Sequence, residues 1–236
     1  MEGEEREIAD QYRAIKRPLI RTAFGEASAG PSSQLIMMAS ALSGDGKTFT
    51  CINLALSMSL EKDHSVLLVD GDVAKPHVSR VFGVDKEPGL LDVLGDPTRD
   101  IESVILSTEI PRLSVLPAGR ASEVSTELLA SARMSQVMAR LSSLNSRGIV
   151  LMDSPPILLT SEARVLAGLV GQIVLVVKAG QTPQQAVQDS IDLIGAGRNV
   201  RLVLNQADLT GPVGYYYGYR YGYAQKASEQ DKQNQD

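Results

Sequence analysis

The sequence predicts an α/β domain with a mainly parallel sheet flanked by helices, and three observations carry that prediction. Six short, mainly apolar runs, at 35–40, 65–70, 113–117, 148–153, 172–177 and 199–205, read as strands covered on both faces. Between several of them lie stretches with helical spacing, so strand, helix and strand repeat along the chain. The length of 236 residues, with 43% hydrophobic and 22% charged residues, suits one domain with tails.

The elements follow in order. Ile8, Tyr12, Ile15 and Leu19 share one helical face within 4–23, where Pro18 is expected to kink or interrupt the helix. A Gly-, Ser-, Ala- and Pro-containing linker occupies 26–33. Helices are predicted over 47–61, 124–145, 157–169 and 183–196, the last with Thr182 as N-cap and Pro183 at the first helical position. From Gly211 glycines break every period and the end is polar, which predicts a flexible tail. The expected organisation is an N-terminal helix and linker over 1–33, the main domain over 34–210 and the tail over 211–236.

Composition excludes several classes. A net charge of −5 gives no general electrostatic reason to bind nucleic acid or anionic lipid. The single cysteine, Cys51, cannot form an internal disulfide and reads as a small buried hydrophobe; His64 and His77 are not at metal-ligand spacing. The N-terminus lacks the basic and apolar regions of a secretory leader, and the most apolar window, 157–177, is interrupted by Glu162, Arg164 and Gln172. A cytoplasmic location is expected, with any membrane role supplied by a partner. Of seven tyrosines, six (Tyr215, Tyr216, Tyr217, Tyr219, Tyr221 and Tyr223) crowd into nine residues, while tryptophan is absent.

The chemistry is concentrated at strand ends. Ala41-Leu-Ser-Gly-Asp-Gly-Lys47-Thr48 follows an apolar strand and opens a helix, matching a phosphate-binding loop except for Ala at the first Gly. Gly44 and Gly46 let backbone N–H groups close on phosphate oxygens, Lys47 can bridge β- and γ-phosphates, and Thr48 can ligate magnesium. Asp70 and Asp72 lie just past a second strand and Asp153 ends a third, so a parallel sheet brings all three towards that loop. An Asp at a strand end also serves as a helix cap. Beside a phosphate loop, the metal and catalytic reading is the stronger one for Asp70 and Asp153.

The segments ALSGDGKT, VLLVDGDVAKP and IVLMDSPP, with the tyrosine cluster behind them, resemble the bacterial tyrosine kinase family with its Walker A, Walker A′ and Walker B motifs. The resemblance runs from about Asp10 to Tyr223; Asp72 to Val84 is most similar to the branch associated with exosortase and exopolysaccharide loci. It implies a P-loop NTPase fold, with ATP and Mg2+ as cofactors. Nucleotide would be held by Ser43, Gly44, Asp45, Gly46, Lys47, Thr48 and Phe49, with Asn205 reading adenine. Metal would be held by Thr48, Asp70 and Asp153, catalysis would rest on Lys47, Asp70 and Asp72, and the tail tyrosines would be phosphoacceptors. Asn205-Gln-Ala-Asp208 also has the N-x-x-D spacing of guanine-specific proteins; the family resemblance favours ATP. Asp10, Arg13 and Lys16 resemble the family's E-x-x-R-x-x-R oligomerisation element, although i, i+3 charges are also common on solvated helices. Departures are Ser43-Gly44-Asp45 for Pro-Gly-Glu, and Ala74 and Lys75 for two Arg.

The implied activity is tyrosine autophosphorylation in trans within a ring-like homo-oligomer, regulating exopolysaccharide or capsule synthesis or export. Implied partners are a membrane polysaccharide copolymerase that activates the kinase and a protein-tyrosine phosphatase, with recruitment to the inner face of the membrane. Phosphoryl transfer needs positioning and charge neutralisation more than a covalent nucleophile. A tyrosine hydroxyl titrates near 10, so a carboxylate that takes its proton helps; Asp72 is the candidate. The tyrosines begin about ten residues past the last strand, and flexible chain reaches roughly 5 to 6 Å times the square root of residue number. Two other readings are open. A partitioning or positioning ATPase shares these motifs but carries lysine where this chain has Leu42. A non-enzymatic Tyr-rich interaction module would bind by stacking.

Overall fold

The computed structural model describes residues 2–25 and 31–207. The first helix, α1 (Glu2–Phe24), continues past Pro18 and is not interrupted there. A missing N–H removes one intrahelical bond, and tertiary contacts outweigh that loss. Leu19 is fully buried, and Tyr12, Ile15, Ile20 and Phe24 pack beside it. Lys16, also buried, donates from Nζ to the Ser57 carbonyl at 2.6 Å and pairs with Glu61 at 2.7 Å. Near the C-terminal end of α1, the buried Gln172 amide donates to the carbonyls of Leu19 and Ser33, and Arg201 bridges Gln172 to Thr22.

The chain then alternates as β1 (Leu35–Ser40), α2 (Lys47–Ser59), β2 (Ser65–Asp70), α3 (His77–Val81), α4 (Leu90–Gly95), β3 (Leu106–Ser107), β4 (Leu113–Leu116), α5 (Ser125–Leu129), α6 (Ala132–Ser143), β5 (Gly148–Asp153), α7 (Ser161–Leu169), β6 (Gln172–Lys178), α8 (Gln184–Ile194) and β7 (Val200–Asn205). The sheet order is β3-β4-β2-β5-β1-β6-β7, parallel except for the two-residue edge strand β3.

Alternate residues of each central strand enter different cores. Leu35, Met37 and Ala39 of β1 join residues of α4 to α8, whereas Ile36 and Met38 join Leu19, Cys51, Leu54, Met58 and Val78 from α1, α2 and α3. Every residue of β1 is buried, which is why its sequence shows no polar alternation. The helices thus form a layer on each sheet face.

Several boundaries differ from the sequence expectation, each for a local reason. The expected helix over 124–145 is two helices, because Ser131 takes an extended conformation and its hydroxyl caps α6 at Met134 N. The helix expected from 157 begins at Ser161, capped by Thr160. Pro183, not Thr182, is the N-cap residue of α8, and the Thr182 hydroxyl is engaged elsewhere. Helices α3 and α4 and strand β3 are too short to leave a periodic signal. The tail over 211–236, its six tyrosines and Asp208 lie outside the described residues.

Candidate active site

The loop between β1 and α2 is shaped by two glycines. Gly44 and Gly46 have φ of 92° and 86°, the left-handed region that glycine alone enters without strain. At Gly46 a Cβ would also lie 2.0 Å from Asn205 Nδ2, so Asn205 would have to shift and give up its bond to the Asp45 carbonyl. Gly46 is also the N-cap residue of the 13-residue α2, with no side-chain cap, so the first N–H groups of that helix are left for a ligand.

Register puts the acids beside this loop. Asp70 and Asp153 end β2 and β5 as direct neighbours, and Asp153 also faces Met38 of β1. Lys47, buried, points its ammonium between two carboxylates, 2.6 Å from Asp153 Oδ1 and 3.9 Å from Asp72 Oδ2. The second oxygen of Asp153 accepts the Thr48 hydroxyl at 2.7 Å. Burial raises the Asp153 carboxyl above its ordinary range, opposed by Lys47 and by the Thr48 hydrogen bond.

Asp70 is fully buried and half satisfied. Its Oδ2 accepts both the N–H and the hydroxyl of Ser79 at 2.7 Å each, while Oδ1 has no hydrogen-bond partner among the described residues. Desolvation pushes its pKa up to about 6 despite Ser79. Ser79 in turn accepts from Ala118 N at 3.1 Å, tying the end of β2 to α3 and the segment after β4. Asp72 retains slight exposure, and its Oδ1 accepts Lys75 N at 3.2 Å.

Three carboxyl groups against one ammonium, with an orphaned buried carboxylate oxygen, fit a hard divalent cation such as magnesium. Among the described residues no three His, Cys, Asp or Glu side chains close on a single point. Magnesium suits such a place because it keeps waters and takes phosphate oxygens in addition to one or two carboxylates.

The expected residues therefore divide. Lys47, Thr48, Asp72 and Asp153 converge, with Asp70 adjoining. Ser43 and Gly44 are exposed on the loop, and Phe49 is 65% exposed on α2. Asp45 is buried and turned inward, accepting from Leu42 N and from Thr182 Oγ1. Asn205 donates from Nδ2 to the Asp45 carbonyl at 2.9 Å. Asp10 and Arg13 form an exposed ion pair on α1, whereas Lys16 is engaged inside the domain, so the three do not form one surface. Ser79 and Thr182 were not singled out as site residues by sequence reasoning; isolated hydroxyls carry no spacing signal. Cys51 is fully buried beside this cluster, which pushes its thiol well above the ordinary range.

The AAA domain family matches residues 33–200. The putative tyrosine-protein kinase EpsB of Ralstonia solanacearum is 32% identical over 204 residues, which are 86% of this chain and 27% of EpsB. This chain thus spans about a quarter of that relative. The tyrosine-protein kinase YwqD of Bacillus subtilis is 28% identical over 92% of this chain and 90% of its own length. Among solved structures, the kinase domain of the Escherichia coli tyrosine kinase ETK superposes with a TM-score of 0.73 at 26% identity, covering 85% of this chain and 77% of that one. The chain belongs to the AAA domain family, in which it stands with the bacterial tyrosine-protein kinase domains.

Proposed function

We propose that this chain is an ATP- and magnesium-dependent protein-tyrosine kinase that phosphorylates the tyrosine cluster of its own C-terminal segment. The observation that carries this reading is Lys47, held between Asp153 and Asp72 at an uncapped helix N-terminus, in a chain whose last strand is followed by six clustered tyrosines.

Lys47 leaves Asp153 to meet the β- and γ-phosphates, and the loop N–H groups take phosphate oxygens. Thr48, Asp70 and Asp153 would hold magnesium, which when bound neutralises charge on the phosphates. Asp72, the acid with residual exposure, accepts the phenolic proton as the tyrosine oxygen bonds to the γ-phosphorus. The bond from the γ-phosphorus to the β,γ-bridging oxygen breaks, and ADP leaves. Asn205, its N–H₂ committed to the loop, offers its carbonyl oxygen to the adenine amino group.

The tail serves a neighbouring subunit in a homo-oligomer, with Asp10 and Arg13 on the exposed part of the contact. Six phosphates would add roughly −9 to −12 charges to a segment of almost no net charge and drive the subunits apart. A membrane-bound polysaccharide copolymerase activates the kinase, and a tyrosine phosphatase resets it. Among the described residues no helix is long and apolar enough to cross a membrane. EpsB and YwqD are named tyrosine-protein kinases, which supports the reaction class; capsule or exopolysaccharide synthesis is the process that the resemblance suggests.

The test uses phosphate-free protein with Mg-ATP beside a variant with all six tail tyrosines changed to Phe. Loss of phosphate incorporation with unchanged ATP binding supports the reading. Equal incorporation in both places the acceptor elsewhere.

A further inference from the structure

The phosphate loop is tied from outside at one residue. Asp45 is 4% exposed, and its carboxylate does two things: Oδ2 accepts Leu42 N at 3.1 Å inside the loop, and Oδ1 accepts the Thr182 hydroxyl at 2.7 Å from the turn after β6. The Thr182 oxygen itself accepts Lys178 N at 2.9 Å, so the hydroxyl is oriented, with its proton committed to Asp45. It does not cap α8, whose N-cap residue is Pro183 and which has no side-chain cap. A second tie, Asn205 Nδ2 to the Asp45 carbonyl at 2.9 Å, starts from the residue paired with Lys178 in the β6–β7 register. Both ties therefore rise from one point on the rigid sheet and end on Asp45.

The segment that they hold is soft by composition. Gly44 and Gly46, on either side of Asp45, lack a Cβ and so allow the loop many backbone conformations besides the positive φ adopted here, only some of which present its N–H groups and Lys47 to a phosphate. Ordering such a segment on binding reduces affinity, whereas a preorganised loop avoids that loss.

We infer that Thr182 is a positioning residue of the nucleotide site, acting through Asp45 to hold the phosphate loop in its binding conformation. The inference rests on the nucleotide-binding reading above and adds to it a residue that touches neither phosphate nor metal. Thr182→Val keeps the shape, leaves Asp45 Oδ1 without its donor, and takes the acceptor from Lys178 N. Hydrogen bonds to charged groups are worth enough that Mg-ATP affinity of the folded protein should fall about tenfold to a hundredfold. Thr182→Ser, which retains the hydroxyl, should restore most of it.

The experiment combines two readouts on wild type, Thr182→Val and Thr182→Ser. Mg-ATP binding is titrated, and amide exchange over 42–48 is followed in nucleotide-free protein. The inference expects weaker binding and faster loop exchange in the Val variant, unchanged exchange in the interior of α2, and recovery with Ser. Equal affinity in wild type and Val variant, or loop exchange that does not change, overturns it. If the Val variant folds poorly, Thr182→Ala is measured by the same two readouts with the same expected directions. A wild type that binds no Mg-ATP overturns the functional reading itself, while the exchange data still report whether the tie exists.

Discussion

The ammonium of Lys47 and the carboxylate of Asp153 form a buried ion pair at 2.6 Å, joining the phosphate loop to the end of β5. The side chain that would grip ATP is thus held by the acid that would hold magnesium. On the proposed reading, binding of Mg-ATP would exchange this pair for lysine–phosphate and carboxylate–cation contacts, without leaving either charge unpaired in the interior.

Removing one partner should therefore be costly. Lys47→Ala leaves Asp153 buried without its cation, and breaking a buried pair this way costs about 3–5 kcal/mol. A urea titration at neutral pH should show that loss, and Lys47→Ala should bind Mg-ATP poorly. Unchanged stability would mean that Asp153 is solvated or protonated in wild type.

Asp70 predicts a pH dependence with a definite sign. Its folded pKa of about 6 exceeds the ordinary 3.8, so the folded state holds this proton more tightly than the unfolded state. Stability from this group is fully present below pH 3.8 and declines as pH rises through about 6, by an order-of-magnitude total of about 3 kcal/mol. Asp70→Asn keeps an acceptor for Ser79 and removes the titration. Its melting temperature at pH 8 should exceed wild type while phosphotransfer is lost, and a wild-type-like pH profile in the variant would contradict the assignment.

Gly46→Ala should be defective for two separate reasons, the positive φ and the 2.0 Å approach of Asn205 Nδ2. Adding Asn205→Gly to it relieves only the approach. Nucleotide titration should find the single variant inactive and the double variant little better; full recovery would show that backbone conformation is unimportant there.

Along α1, Lys16 and Arg13 should behave differently. Lys16→Ala leaves the Ser57 carbonyl without its donor and should destabilise the fold by about 1–3 kcal/mol. Arg13, exposed and paired with Asp10, should change stability by less than about 0.5 kcal/mol when replaced by Ala. Light scattering of nucleotide-loaded protein should show a smaller assembly for Arg13→Ala. Identical masses would remove Arg13 from the proposed contact.

Much of this site was legible in the sequence because its parts sit at strand ends, where an apolar run ends abruptly in Asp70 or Asp153 and in a glycine-rich turn. The fold was legible for the same reason, since β1 and β5 read as unbroken apolar runs. What escaped was set by tertiary contact. Pro18 does not stop α1 because Leu19 and Lys16 hold the helix against α2 and Gln172 holds its C-terminal end. Asp45 read as part of the nucleotide loop and Lys16 as part of an oligomerisation element, and no spacing signal showed that the side chains of both are engaged within the domain. Ser79 and Thr182 act through single hydroxyls whose partners, Asp70 and Asp45, lie 9 and 137 residues away in sequence.

The most direct measurement is phosphate mapping by mass on protein stripped of phosphate and then incubated with Mg-ATP, reading tryptic peptides 202–220 and 221–226. Lys47→Ala and magnesium chelation are the controls. The kinase reading predicts phosphotyrosine on both peptides in wild type alone. Tight Mg-ATP binding with neither peptide modified, alone or after addition of a membrane activator, would contradict it and leave an ATPase whose tyrosine segment only binds.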